Sequence, residues 1–197
     1  MKTSHAMLAF RAGFVAAVLV LSAGCQSAGP AAASEPAQGD ARKAERREAI
    51  IKMRDATLAR LYEQKPESRD VMARGAGYAV FDATGVNVVL YVGGKGSGVL
   101  VDAATGKMTY MSMMRAGTGP GLGYKEYKQV IVFKTKDAMD MFTSTGLDVG
   151  SSFDFGELAN SGQSFNPNFQ LYSITEKGFT VQANWGGTKY FKDAELN

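Results

Sequence analysis

The sequence predicts an α+β fold: a curved antiparallel β-sheet or partial barrel, covered by an N-terminal helix and a short internal helix. Three observations lead to this class. Between Tyr78 and Phe133, apolar and β-branched runs alternate with turn signals, which is typical of successive strands. Glycines recur within that stretch with a period of two. Helix-like spacing of apolar residues occurs before and after it.

The glycines form two ladders. Successive residues of a strand point to opposite faces, so each ladder leaves one face of a strand without side chains. Such a face lets the sheet bend sharply or lets another backbone, a ring or a ligand come close. We expect either backbone crowding at a curved sheet or close approach of a ligand at these positions: Gly94, Gly96 and Gly98 in the first ladder, and Gly117, Gly119, Gly121 and Gly123 in the second.

The predicted helices flank this stretch. The first runs from Asp40, a plausible N-cap, to Gln64, before Pro66. Its predicted apolar stripe follows a heptad spacing and consists of Ala44, Ile51 and Leu58, extended by Leu61 and Tyr62. A short helix over 67–74 and another over 137–144 follow. After Gly162 we expect strands over 169–175 and 179–185 joined by a turn at 176–178, and a closing strand over 188–191 after Gly186 and Gly187.

The rare residues exclude several kinds of chemistry. The only histidine is His5 and the only cysteine is Cys25, so the predicted domain lacks both. This removes the usual general base near neutral pH, a thiol nucleophile and His/Cys metal sites. Carboxylates such as Asp82 and Asp102 show no calcium-loop spacing, although spacing alone does not exclude a glycosidase-like pair. We expect no enzyme activity, no metal and no cofactor.

The glycine-rich segment is also unlike a nucleotide site. Gly94-Lys95-Gly96-Ser97-Gly98 lacks the spacing of a Walker loop, and a strand rather than a helix follows it. Without Lys2 and Arg11, which lie in a predicted targeting segment, 20 of the 22 basic residues stand against 19 acidic ones. A near-neutral domain is not typical of a general nucleic-acid binder.

The N-terminus has a targeting layout. Lys2 and Arg11 are followed by an apolar run over 14–21 that is too short to span a bilayer. The segment Leu21-Ser22-Ala23-Gly24-Cys25 resembles the lipobox of bacterial lipoprotein precursors. The resemblance implies a signal peptide over 1–24 and acylation of Cys25, with Gln26 favouring the outer membrane. Residues 25–39 are predicted to be a flexible tether, and 40–197 the folded domain.

Two groups of basic residues are candidates for lipid contact. One lies on the first helix, where it forms either a solvated face or a basic foot near anionic head groups: Arg42, Lys43, Arg46 and Arg47. The other lies beside the glycine ladders: Lys95, Arg115 and Lys125. Methionines crowd one predicted strand (Met108, Met111, Met113 and Met114), and aromatic residues suited to a core or to a lipid interface are Tyr91, Tyr124, Tyr127 and Trp185.

The order of motifs over about 49–162 resembles the SYLF domain family. The entry segment is Ala73-Arg74-Gly75-Ala76-Gly77-Tyr78-Ala79-Val80-Phe81, and the glycine-rich segment runs from Gly93 to Val101. A turn, a strand over 108–115, the second ladder, the run Val130 to Phe133 and the short helix follow in the family's order. Two departures are Asp82, where the family often has proline, and the segment from Gly150 to Phe155, where it is usually alanine-rich. The resemblance implies a lipid-binding domain.

Together these features predict a non-enzymatic, acyl-anchored lipoprotein of the bacterial cell envelope, placed at the outer membrane and facing the periplasm or the cell surface. Its expected partners are membrane phospholipids, with anionic head groups held by the basic residues. The alternative is a structural or scaffolding module that binds a protein or peptidoglycan, with the acyl anchor fixing its location. We expect no nucleic-acid partner.

Overall fold

The structure, a computed structural model, describes residues 35–146, 167–182 and 185–197. The part from Glu35 to Asn197 forms one compact unit. Its elements are α1 (Glu35–Gln64), α2 (Ser68–Arg74), β1 (Gly77–Asp102), β2 (Met108–Phe133), α3 (Lys136–Thr145), β3 (Phe169–Gln182) and β4 (Trp185–Lys192). The predicted signal peptide, Cys25, most of the predicted tether and the segment from Gly150 to Phe155 lie outside the described residues.

The strand β2 is the centre of a curved, open antiparallel sheet. It pairs with β1 along its whole length on one edge. On the other edge it pairs first with β4 and then with β3. The hairpin between β1 and β2 turns where Gly106 adopts φ +70° and Asp102 Oδ1 accepts hydrogen bonds from the N–H groups of Ala104 and Thr105. The predicted α+β class with a curved antiparallel sheet is confirmed.

The strands are longer than predicted. The segments expected as separate strands over 108–115, 117–123 and 130–133 are one strand of 26 residues, because glycine within a paired strand bends it without ending it. The turn predicted at 176–178 is wrong, as is the returning strand after it. β3 continues through this segment, and Glu176 is accommodated as an extra residue where the register shifts between Glu126 and Tyr127. Gly186 and Gly187 likewise lie inside β4.

The strand β1 folds back so that its two halves lie against each other. A Cβ built on Gly94 would be 2.9 Å from the carbonyl oxygen of Thr84, and one on Gly96 would be 2.5 Å from that of Asp82. The same construction on Gly98 would meet the carbonyl oxygen of Val80. The chain's own backbone therefore makes the close approach at the first ladder, as the interpretation of backbone crowding predicts. The glycines of the second ladder all lie within β2.

The fold-back encloses an aromatic core that α3 closes. Tyr190 of β4 lies at its centre, with its ring centroid 4.9 Å from that of Phe81 and 4.9 Å from that of Phe142. The hydroxyl of Tyr190 donates to Gln129 Oε1 at 2.6 Å. Helix α3 begins after Thr135, whose hydroxyl accepts from the Ala138 N–H, and spans the predicted short helix with one more residue at each end.

Helix α1 covers the outer face of the sheet. Leu61 packs on Val80, and Ile50 packs on Val99. The helix starts at Glu35, so Asp40 lies inside it and is not its N-cap, and 35–39 are helical rather than part of a tether. The predicted heptad stripe is also wrong at Ala44, which is exposed. The fully buried line consists of Ile50, Thr57 and Leu61. Ile50 and Thr57 each lie one position before the predicted Ile51 and Leu58, which are half-buried.

The residues after β4 fasten α1 to β2. Leu196 is buried with Ile50, Val99 and Tyr110. The side chain of Asn197 donates to the carbonyl of Tyr110 at 2.8 Å and accepts from its N–H at 3.0 Å. Among the described residues, no helix is both long enough and apolar enough to cross a membrane.

Candidate anion-binding groove

The structure separates the two groups of predicted basic residues. On α1, Arg46 forms ion pairs with Asp193 at 3.1 Å and with Glu195 at 2.6 Å. Arg47 Nε donates to the carbonyl of Leu196 at 2.8 Å, and its guanidinium lies 5.8 Å from the ring centroid of Tyr110. These two arginines therefore help to hold the C-terminal residues against the helix.

The other two basic residues of this group have a different environment. Arg42 is exposed, and the Lys43 ammonium lies 3.8 Å from the carboxylate of Asp40. That these four residues contact lipid remains a prediction. The four side chains do not form one uniform set, because Arg46 and Arg47 bond to the distant C-terminal residues, whereas Lys43 pairs within α1.

The second group lies near the bend of β1. Lys95 is opposite Met114 in the register, next to the pair of Gly94 with Arg115. Lys125 lies opposite Gly85, with its ammonium 4.9 Å from the ring centroid of Tyr127. The structure thus places these three predicted cations, Lys95, Arg115 and Lys125, around one end of the folded sheet.

Lys95 opens onto a surface cavity. This cavity has a volume of about 310 Å³ and is lined by Lys95, Gly96, Ser97, Thr84 and Asp82. A lysine ammonium and two hydroxyl groups can all donate hydrogen bonds to a phosphate oxygen. The predicted pair Lys95 and Gly96 is therefore part of a concave, donor-rich surface.

Two further cavities continue this surface along α1. The next, of about 300 Å³, shares Asp82 with the first and adds Lys128 and Arg60. The third, of about 260 Å³, shares Arg60 with the second and adds Lys65. We call this succession of cavities the basic groove. Its charged residues are Lys95, Lys128, Arg60, Lys65 and Asp82.

The charge of the basic groove favours an anion. Four cations line it, together with one carboxylate. That carboxylate, on Asp82, lies 2.7 Å from the ammonium of Lys128. At the far end of the groove, burial raises the pKa of Tyr172, and the negative charge of Glu67 adds to this, so the hydroxyl remains a neutral donor at physiological pH. The groove can hold an anionic group by charge and by hydrogen bonds.

Sequence patterns did not identify three of the cations that line the groove: Lys128, Arg60 and Lys65. Lys128 faces the groove because the β1–β2 register places it opposite Asp82. Arg60 and Lys65 line it because α1 docks over that edge of the sheet. Neither the register nor the docking of α1 follows from local patterns, although Lys65 before Pro66 is a visible cation at the end of a predicted helix.

The methionines and aromatic residues divide between core and surface. Met111, Met113 and Tyr127 are buried, as the core interpretation predicts. Tyr91 and Tyr124 are exposed, as are Met108 and Met114. The Tyr124 hydroxyl donates to Glu126 Oε1 at 2.5 Å, and this bond raises the pKa of Tyr124. The Trp185 side chain lies outside the described part of the structure.

No metal cluster was found within 35–146, 167–182 and 185–197: no three or more His, Cys, Asp or Glu residues come together there in a way that could hold an ion. Three further carboxylates of the sequence fall outside these ranges: Asp148, Asp154 and Glu157.

The chain is similar to a curated protein. No family model matches the chain. The chain is 37% identical over 155 residues to Beta cell expansion factor A of Aeromonas veronii, an alignment that covers 77% of this chain. It spans 59% of the length of that relative. The protein described here is therefore homologous, over most of its length, to part of Beta cell expansion factor A.

Proposed function

We propose that this protein is a non-enzymatic, acyl-anchored lipoprotein of the bacterial cell envelope whose folded part binds phospholipids with anionic head groups. The proposal includes membership of the SYLF family, on the motifs that run from Ala73 to Phe133. The acyl groups on Cys25 hold the protein at the membrane, at the outer membrane in a Gram-negative cell. The basic groove binds the phosphate of a lipid head group.

The basic groove is the observation that supports this function most directly. It combines four cations with one carboxylate that is already paired with Lys128. Cations near an anionic membrane surface contribute about 1 kcal/mol each to binding. The groove is also open, so a head group can enter it while its acyl chains stay in the bilayer.

The proposal can be tested by vesicle binding without the anchor. The chain from Gln26 onward with Cys25 removed retains the compact unit from Glu35 to Asn197. We expect it to bind vesicles containing phosphatidylglycerol and to bind vesicles of phosphatidylcholine far more weakly. Equal and negligible binding to both would contradict the lipid-binding function, and a stoichiometric protein partner without bound lipid would favour the scaffolding alternative.

A pair of double variants tests the groove itself. Arg60→Gln with Lys95→Gln removes two cations that line it. Lys107→Gln with Lys134→Gln removes two exposed cations that do not line these cavities, so the net charge is the same in both variants. At about 1 kcal/mol per cation, the first variant loses about thirty-fold in affinity for anionic vesicles. An equal loss in both would show that only the net charge matters.

The anchor is tested in cells. Cys25→Ser removes the thiol to which an acyl chain would be attached. We expect the wild-type protein to be recovered with the membrane fraction and to incorporate labelled palmitate, and the variant to do neither. A variant that still takes up the label would overturn the assignment of Cys25. Two or more acyl chains anchor a protein stably, whereas one gives only marginal binding. The mass of the N-terminal peptide shows how many chains are attached.

A further inference from the structure

The outer face of the sheet changes character along the first half of β1. At its base, Val80 and Val130 are fully buried beneath α1. A polar zone follows, in which Asp82 and Lys128 are paired. An outer face that is apolar under a helix and polar beyond it is expected for a soluble sheet.

Beyond the polar zone, the same face becomes apolar again without a covering helix. The register places Val86 opposite Tyr124 and Val88 opposite Leu122. All four side chains are exposed, and Leu122 is 60% accessible. The usual pattern of apolar residues inside and polar residues outside is thus reversed here: the two valines are exposed, and Asn87 between them is buried.

The bend of β1 continues this apolar surface. Residues 83–94 and 116–124 carry no charged side chain. At the bend, Val89 is 69%, Leu90 60% and Tyr91 63% accessible. Exposed apolar patches of this kind usually mark an interaction site. We call the surface the apolar tip, and it consists of Val86, Val88, Val89, Leu90, Tyr91, Leu122 and Tyr124.

The backbone at the apolar tip is strained. Val89 has φ +61°, a conformation that a β-branched residue rarely adopts. Next to it, Leu90 faces both Gly119 and Pro120 of β2, so the pairing contains a bulge of two residues against one. The Thr118 hydroxyl donates to the Leu90 carbonyl at 2.9 Å and fixes the bend. Strain of this kind is characteristic of functional segments.

Three cations lie near the base of the apolar tip, at similar distances from the bend. Lys125 is opposite Gly85, four residues before Val89, and Lys95 is four residues after Tyr91. At about 3.3 Å per residue, both lie at most about 13 Å along the strand from the bend. Arg115, opposite Gly94, is at a similar level. The tip is therefore an uncharged projection above a rim of three cations and one carboxylate, that of Glu126, which accepts from the Tyr124 hydroxyl. This rim has a positive net charge, and we call it the cationic rim.

We propose that the apolar tip inserts into the interface of an anionic bilayer while the cationic rim contacts the head groups. This inference rests on the proposed function and names the element that enters the lipid. Amphipathic segments penetrate about 5–10 Å into this interface, a depth that the projection above the rim can reach. Tyr91 and Tyr124 are suited to this interface, where an apolar ring and a polar hydroxyl are both accommodated.

The charges favour a lipid surface over a second copy of this chain. In a two-fold dimer formed through the tip, the same surface of each copy faces the other. The rims of Lys95, Arg115 and Lys125 would then be brought toward each other, and like charges repel. An anionic bilayer instead complements the rim.

Insertion can be measured by the fluorescence of a single tryptophan introduced at the bend. Trp185 is the only tryptophan, so Trp185→Phe provides a background without indole. In that background, Leu90→Trp places a probe on the tip, and Met141→Trp places one on an exposed position of α3. With phosphatidylglycerol vesicles, we expect the emission of the Leu90→Trp protein to shift to the blue and to be quenched at least twofold by brominated acyl chains. The Met141→Trp protein should show neither effect. Equal quenching of both, or of neither while the protein binds, would overturn insertion through the tip.

Affinity provides the second measurement. Leu90→Ser with Leu122→Ser removes two exposed side chains of the tip, and Met108→Ser with Met141→Ser removes two exposed apolar side chains elsewhere. We expect the tip variant to bind anionic vesicles at least tenfold more weakly than the control variant. Unchanged binding would contradict insertion and leave the proposed function standing, whereas a wild-type protein that binds no vesicle would contradict both. A dimer that only the tip variant loses, without a change in vesicle binding, would assign the tip to self-association.

Discussion

The carbonyl oxygen of Val80 occupies the space where a side chain on Gly98 would begin. Gly98→Ala therefore forces backbone against backbone within β1, which cannot relax as a flexible side chain could. We expect a loss of unfolding free energy of about 1–3 kcal/mol or more, the usual range for overpacking a core. Chemical denaturation measures it. Gly85→Ala is the matched control, because its nearest neighbour would be a Lys125 side-chain atom at 3.5 Å. A Gly85→Ala protein that loses as much stability would show that strand glycines matter here for another reason.

Leu196 anchors the C-terminal residues in the small hydrophobic cluster between α1 and the sheet. It is buried among Ile50, Val99 and Tyr110. Leu196→Ala leaves a cavity between α1 and the sheet, and we expect a cost of about 2–5 kcal/mol in urea unfolding. Its neighbour Glu195 is exposed and pairs with Arg46 at the surface, so Glu195→Ala should cost at most about 1 kcal/mol. If the two variants unfold at the same urea concentration, the C-terminal residues do not contribute to the core.

Tyr190 joins the aromatic core to a polar group. Its hydroxyl donates to Gln129 Oε1 at 2.6 Å, and the residue is almost fully buried. Tyr190→Phe keeps the ring contacts and removes this bond, so the expected loss is about 1 kcal/mol, and up to about 3 if the Gln129 oxygen finds no other donor. Tyr91→Phe removes a hydroxyl from an exposed ring, and its melting temperature should match that of the wild type. A wild-type melting temperature for Tyr190→Phe would mean that water replaces the bond.

Asp102 makes the hairpin turn sensitive to pH. The N–H groups of Thr105 and Ala104 donate to its carboxylate and hold the pKa of Asp102 below its ordinary value, although burial opposes this shift. Because the folded protein favours the charged form, this contribution is present above the unfolded pKa of about 3.9. It is lost as the pH falls through the lowered pKa of the folded state. The difference in unfolding free energy between wild type and Asp102→Asn should therefore shrink as the pH is lowered from about 6 to about 2. A difference that grows on acidification would contradict the assigned direction.

Local chemistry made much of the fold predictable. The short helix after Thr135 and the turn after Asp102 could be placed because capping and turn residues act within a few positions. The period-two glycines correctly indicated crowding, since only a bare face admits another backbone. The partner was not predictable, because the carbonyls of Val80 and Asp82 reach the glycines only after β1 folds back on itself.

The candidate groove was predictable only in part. Lys95 and Gly96 follow from a sequence pattern, since a cation stands beside a glycine ladder. Lys128 and Arg60 join them through strand register and helix docking, which are set by contacts far apart in sequence. The continuous β3 shows the same limit: Lys177-Gly178 resembles a turn, but hydrogen bonds to β2 keep this segment extended.

The side chain of Asn197 affects how readily crowded copies of this protein associate through their sheet edges. Its amide bonds both backbone groups of Tyr110, just beyond the pairing of β2 with β4, and the Asp193 N–H also donates to the Tyr110 carbonyl at 3.0 Å. An edge with free N–H and C=O groups is a template on which neighbouring chains can polymerise. The Asn197 amide and the Asp193 N–H together occupy this point of the edge, and we expect them to hinder fibril-like growth where many copies are crowded together.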